Sequence, residues 1–326
     1  MYPFEFSRAS SERAALAAGA DGGRYIAGGT TLVDLMRETV ERPTSVVDIN
    51  ALPYRDLEVG PAGLRVGALV RMTDLAAHPA VREQFPVISQ ALELSASAQL
   101  RNMASIGGNL MQRPRCLYFR DVTIGCNRRQ PGSGCPAIGG ENRGHAVLGT
   151  SDQCVATHPS DLSVALVALD AVVQLRSTAG DRRLPIAAFF RQPGATPNVE
   201  HDLRPGELIV AVEVPAGPHT RRSGYLKVRD RQSYEFALAS AAVALDIRDG
   251  VIASARVAAG GVATVPWRLP GVEDALRGRT PSPGLWTDAV AHAADGARPL
   301  AGNGFKVELL RRTLARQLAT VAAGTV

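Results

Sequence analysis

The run RYIAGGTTLVDLMRETVERPTSVVDIN, Arg24 to Asn50, constrains the fold more than any other stretch of the chain. Tyr25–Ala27 reads as a short strand, and Gly28-Gly29 then provides a tight loop with no Cβ in the way. Leu32, Leu35, Met36 and Val40 recur at helical spacing, which predicts a helix from Thr30 to Val40 that Pro43 stops. TSVVDIN follows as a second strand. A glycine loop that leaves a strand and opens a helix is used where backbone N–H groups approach a phosphate. The same letters also describe an ordinary strand-to-helix turn, so this unit alone does not decide between the two.

Before it, Ser10 is the expected N-cap of an Ala-rich helix that Gly19 or Gly22 ends. After it, LEVGPAGLRVGALV reads as a hairpin turning at Pro61-Ala62-Gly63, and PVISQALELSASAQL as a helix. That helix leads into a second glycine loop, Ser105-Ile106-Gly107-Gly108-Asn109. Farther on, Ser160 caps a helix that runs into a strand, and ELIVAVEVP is another strand. GYLKVRD, FALASAAVALDI and VIASARVAAGGVA then read as three consecutive strands, with helices around Val272, Trp286 and Phe305–Ala319. A chain of 326 residues exceeds what one core comfortably fills, so two or three packed units are expected, with a Pro/Gly seam near residue 220.

Composition excludes several classes. Hydrophobic residues make up 45% and charged residues 21%, and no apolar run is long enough to span a membrane. The net charge of +5 is spread along the chain rather than gathered in a basic stripe, which argues against nucleic-acid binding. The N-terminal residues carry dispersed charges and no apolar core of a secretory signal. Gly132–Ala137 spells G-x-G-x-x-A, but no strand precedes it and Pro136 stands where a helix should be donating, so a dinucleotide fingerprint is rejected there.

YIAGGTTL, ASIGGN and PSDL, in that order, together with GYLKVRDRQSYEFALASAAVALDI, resemble the FAD-binding subunits of the xanthine dehydrogenase and molybdenum hydroxylase family over nearly the whole chain. The resemblance implies an α+β fold. A two-subdomain FAD-binding domain of the vanillyl-alcohol-oxidase type would span 1–220, with subdomains of about 1–52 and 53–220, and a small C-terminal domain, a three-stranded antiparallel sheet plus helices, would span 221–326. It further implies that Ala27, Gly28, Gly29, Thr30, Thr31 and Leu32 wrap the FAD pyrophosphate, and that Ala104, Ser105, Gly107, Gly108 and Asn109 contact the diphosphate and adenosine side. Asp161 would bond a ribose or ribityl hydroxyl, Leu208 and Ile209 would lie near the rings, and Lys227 would stand at the flavin edge. No catalytic nucleophile or general base is expected, because such a subunit transfers electrons through its cofactor.

All four cysteines, Cys116, Cys126, Cys135 and Cys154, fall within 39 residues at the spacing C-x9-C-x8-C-x18-C. Disulfides suit small secreted chains, zinc favours close C-x2–4-C pairs, and unrelated buried cysteines would scatter. An iron–sulfur cluster accommodates four thiolates from one glycine-rich loop. Relatives without a cluster pass from the GGN loop to the Ser-Asp pair by a much shorter segment. The resemblance therefore implies an insertion at about 112–157 holding one [4Fe–4S] cluster, as in bacterial heterotrimeric aldehyde oxidoreductases. His145 and His158 are read as surface or packing residues, and the arginines 113, 115, 120, 128 and 129 as a solvated face.

The resemblance implies a large molybdopterin subunit and a small [2Fe–2S] subunit as partners, with electrons leaving through FAD to an external acceptor. Other molybdenum hydroxylases acting on xanthine, CO or an aromatic CoA ester, and a stand-alone FAD oxidase, are the alternatives. A periplasmic home would follow from co-export with a partner, and a cytoplasmic one otherwise.

Overall fold

The structure, a computed structural model, describes residues 1–324. Three sheets organise it. The first joins β1 (Glu5–Arg8), β2 (Arg24–Ile26) and β3 (Ser45–Asp48), all parallel, in the order β1-β3-β2. The expected strand, glycine loop, helix and strand unit is present, with its helix at Leu32–Arg37. That helix is shorter than its apolar spacing predicts, because Thr39 turns left-handed (φ +61°) and the amide of Val40 bonds back to the Leu35 carbonyl at 2.9 Å. The preceding helix, Glu12–Ala20, is capped by Ser11 rather than Ser10, since Ser11 has the extended backbone that lets its Oγ accept from the Ala14 amide.

The second sheet is antiparallel. It contains β4 (Leu57–Gly60), β5 (Gly63–Gly67), β6 (Val172–Ser177), β7 (Gly180–Pro185) and β8 (Leu208–Pro215) in the order β4-β5-β8-β6-β7. Between β5 and β6 the chain leaves the sheet. The helix expected after Phe85 divides into Pro86–Glu93 and Ala98–Arg101, because Ala96 takes φ +46°. The second glycine segment is a helix start rather than a loop: Ser105 Oγ accepts from the Gly108 amide and caps Ile106–Leu110.

Residues 110–159 then form a closed excursion, pinned at its neck where Ser160 Oγ donates to Asn109 Oδ1 at 2.6 Å. The excursion contains only the short helix Leu117–Arg120 and the 3-10 turn Pro136–Ile138. Pro136 therefore begins a turn, as the rejected fingerprint required.

The third sheet has four strands, β9 (Ser223–Val228), β10 (Ala239–Arg248), β11 (Val251–Gly260) and β12 (Trp267–Arg268), in the order β12-β11-β10-β9. Three were expected. The fourth is only two residues long, paired with Ala259 and Ala258, and so leaves no period in the sequence. Alternation along β10 divides two cores: Ala242 and Ala244 face the core of the second sheet, while Ala241, Val243 and Leu245 face the helices Pro270–Leu276, Pro283–Val290 and Phe305–Ala323. Both faces are covered, which is why the strand is apolar along nearly its full length.

The helix Asp161–Ala168 is buried at every position and packs between the helix Pro86–Glu93 and strands β10 and β11. Leu166, 1% exposed, is therefore held on all sides. Leu166→Ala is expected to cost about 2–5 kcal/mol in urea unfolding. Leu117→Ala, at a side chain 76% exposed, should cost less than about 0.5 kcal/mol.

Candidate cofactor site

A long cleft runs between the first sheet and the remainder of the molecule. One cavity of about 630 Å³ is lined by Ala27, Thr30, Thr31, Leu32, Ser105, Gly107, Gly108, Leu208 and Ile209, among others. A second of about 520 Å³ is lined by Gly29, Ala104, Asn109, Asp161 and Lys227, among others, and shares Thr30, Thr31 and Gly108 with the first. Fourteen of the fifteen residues expected to bind FAD therefore line one or other of two adjoining cavities. The fifteenth, Gly28, lies behind them. A Cβ there would come within 1.9 Å of the Met103 carbonyl oxygen, so the loop reaches its position only with hydrogen in place of a side chain.

The two halves of the cleft differ in character. The first has an apolar wall from β8, where Leu208 and Ile209 are buried, and a rim formed by residues 198–207. The second is polar and lies against β9. There the Asp161 carboxylate accepts from Lys227 Nζ (2.7 Å), Tyr225 Oη (2.8 Å) and Ser95 Oγ (3.1 Å). Lys227 also donates to the Leu94 carbonyl at 3.2 Å, and its side chain is 1% exposed. Asp161 and Lys227 thus meet each other as a buried, fully bonded pair on the cleft wall. Burial, reinforced by Asp161, raises the Tyr225 hydroxyl well above its ordinary pKa, so it stays a donor.

The excursion forms a separate small pocket on which Cys116, Cys126, Cys135 and Cys154 all border. None is in a disulfide. Burial pushes the Cys116 thiol up to about 12 and the Cys135 thiol upward as well. Both would bind a metal only if the metal drove off the proton. Among the described residues, no three His, Cys, Asp or Glu side chains form a group that could hold a metal ion. The structure thus brings the four thiols to one pocket without assembling a mononuclear centre.

The histidines belong to the packing. His158 is edge-on to Phe190 and His201 lies against Phe189 and Phe190. Burial first, then neighbouring charge, lowers His158 to about 3, and burial lowers His201 to about 4. His145 Nε2 sits 3.2 Å from Cys116 Sγ.

The arginines are not the solvated face expected of them. Arg113 pairs with Glu41 (2.7 Å) and Glu200 (2.6 Å), Arg115 and Arg120 with Asp34 (2.9 and 2.5 Å), and Arg128 with Glu200 (3.2 Å). Arg129 caps the carbonyls of Tyr118, Phe119 and Ile124. The carboxylate partners of Arg113, Arg115, Arg120 and Arg128 come from distant parts of the chain, so local composition could not reveal the pairing. Arg113, Glu200 and the 198–207 rim are cleft residues that sequence reasoning missed, since they lie in irregular segments without motif or period.

The family described as "FAD binding domain in molybdopterin dehydrogenase" matches residues 2–217, and "CO dehydrogenase flavoprotein C-terminal domain" matches 224–326. The chain belongs to this family. It is 47% identical over 324 residues to the aldehyde oxidoreductase FAD-binding subunit PaoB of Escherichia coli K12, covering 99% of this chain and 98% of that one. It is 28% identical over 304 residues to the glyceraldehyde dehydrogenase medium chain of Sulfolobus acidocaldarius, covering 92% and 90%. Among solved structures it resembles quinoline 2-oxidoreductase from Pseudomonas putida 86, with a TM-score of 0.77, 21% identity and coverage of 99% and 98%. The carbon monoxide dehydrogenase of Hydrogenophaga pseudoflava superposes similarly, with a TM-score of 0.76, 22% identity and coverage of 99% of both chains. These two likenesses establish the fold.

FAD fits the cleft. The two cavities lie in the size range of ligand pockets, they share Thr30, Thr31 and Gly108 from the two glycine segments, and Gly28 lets those segments meet. Gly28→Ala is expected to lower the flavin-to-protein absorbance ratio at least tenfold. Gly284→Ala, where a Cβ meets nothing within 4 Å, should leave that ratio unchanged.

The buried histidines set an acid limit. Their native pKa values lie below the unfolded value, so from about pH 6.5 down to about 4 the unfolded chain binds protons that the native chain refuses. Stability is complete above that window and falls as pH decreases through it. Calorimetry at pH 7.5 and 4.5 should show a lower Tm at the acid pH, and His158→Phe should reduce the difference.

Proposed function

We propose that this chain is the FAD-carrying electron-transfer subunit of a molybdenum-dependent aldehyde oxidoreductase. A large molybdopterin subunit and a small [2Fe–2S] subunit would be its partners, and an external acceptor would take electrons from its FAD. The observation that carries the reading is the pair of adjoining cavities on which both glycine segments converge, in a chain 47% identical over 324 residues to an aldehyde oxidoreductase FAD-binding subunit. Among the described residues no helix is long and apolar enough to cross a membrane.

Bound FAD would supply the exchange between two-electron and one-electron transfer. The protein's part is to hold and tune. Thr30 and Thr31, with hydroxyls on the wall of the cavity beside the glycine loop, suit the pyrophosphate. Leu208 and Ile209 give a ring an apolar face. The Lys227–Asp161 pair, with Tyr225 and Ser95 behind it, presents a fixed dipole to the polar half of the cleft. The pair joins Lys227 on β9 to Asp161 at the start of the helix Asp161–Ala168.

The reading includes one [4Fe–4S] cluster on Cys116, Cys126, Cys135 and Cys154. Four free thiols bordering one pocket, within a glycine-rich excursion closed at its neck, support it. The cluster would supply single-electron exchange.

Purified protein is expected to show flavin bands near 450 nm with a broad iron–sulfur shoulder. Cys126→Ser should lower iron and acid-labile sulfide while leaving FAD content within about twofold of the parent. A colourless protein would overturn the whole reading, and unchanged iron in the variant would remove Cys126 from the ligand set.

A further inference from the structure

Among the described residues, Arg128 is the one Lys, Arg, Asp or Glu in the lining of the cysteine pocket. Its side chain is 4% exposed. A buried guanidinium is strongly unfavourable unless charge and hydrogen bonds match it. Here they do so only in part. Nη1 lies 3.2 Å from Glu200, Nη2 points at Cys154 Sγ from 3.5 Å, and Nε is buried with no partner.

Glu200 does not belong to Arg128 alone. Its other oxygen is held more closely by Arg113, from Nε at 2.7 Å and Nη2 at 2.6 Å, and Arg113 takes a further carboxylate from Glu41. Burial raises the Glu200 carboxyl, but Arg128 and Arg113 more than offset this and keep it ionised. Arg113 is thus well matched, while Arg128 retains positive charge that is directed at sulfur.

We propose that Arg128 is the built-in counter-charge of the four-cysteine pocket, completed only when the thiols become anionic ligands, and that Glu200 sets how much of that charge the pocket receives. Both act as positioning residues, through the electrostatics of the pocket. The inference rests on the cluster reading above. A cluster held by these thiols would gain one negative charge on taking up a single electron, from the partner's centres or from dithionite and with no proton required, and that charge would lie beside Arg128. The cation favours the reduced state and the carboxylate opposes it.

The test is a redox titration of the holoprotein with dithionite, the cluster followed by EPR at temperatures that separate a [4Fe–4S] signal from any [2Fe–2S] signal. Arg128→Met should shift the cluster midpoint to lower potential, Glu200→Gln should shift it to higher potential, and Arg128→Lys should lie nearer the parent than Arg128→Met. A purely structural role would not give shifts of opposite sign. Midpoints unchanged, or moved in the same direction by both neutral variants, would overturn the inference while leaving the cluster reading intact. If Arg128→Met fails to load iron, Glu200→Gln decides by itself: an upward shift supports the counter-charge and none refutes it. A parent protein free of iron and sulfide would overturn the cluster reading and this inference together.

Discussion

The close approach of Gly28 to the backbone of Met103 is the contact on which the remaining architecture depends. It lets the first sheet settle against the segment that carries the second glycine pair, and the cleft is the space left between them. Protein interiors are packed too tightly to absorb a methyl group at such a point, since backbone on both sides would have to move. The neighbouring glycines have related roles: Gly29 turns left-handed at φ +71°, and a Cβ on Gly107 would press on Ala68 at 3.0 Å. The chemistry of the cleft thus begins with missing side chains.

A second constraint organises the cysteine excursion. With almost no regular structure, its polar backbone must be satisfied by side chains. Arg129 caps three carbonyls. Asn303 donates to the carbonyls of His145 and Ala146, and Lys306 donates to Gly144 at 2.9 Å and Gly261 at 2.7 Å. The C-terminal part therefore holds a loop that belongs to the FAD-binding part. Burial lowers Lys306 to about 7, which reflects how little solvent reaches the junction. Sheets, helices and excursion form one interdependent structure around two neighbouring pockets.

Much of this was legible in advance. Apolar periodicity located most strands and the longer helices but missed β1, β7 and the helices Met72–Ala77 and Pro79–Gln84, whose short runs carry no clear period, while the two glycine motifs and Leu208–Ile209 contribute residues to two adjoining cavities. What failed did so for local reasons. A two-residue strand has no period, a cap can shift by one serine, and single left-handed residues at Thr39 and Ala96 cut helices that propensity would continue. The arginines were misread because an arginine's partner is set by folding, not by its sequence neighbours.

The sequence by itself determined the element order, the glycine positions where backbones meet, and the presence of all four thiols in one segment. These follow from short-range rules: side-chain volume, helical and strand periods, and turn chemistry. Only the tertiary structure decided that Asn109 and Ser160, 51 positions apart, close the neck of the excursion. It alone decided that Asp161 and Lys227 neutralise one another, and that Arg128 stands half-matched between Glu200 and Cys154. Electrostatic and hydrogen-bond partners depend on distance through space and on local desolvation, and neither quantity exists until the chain has folded.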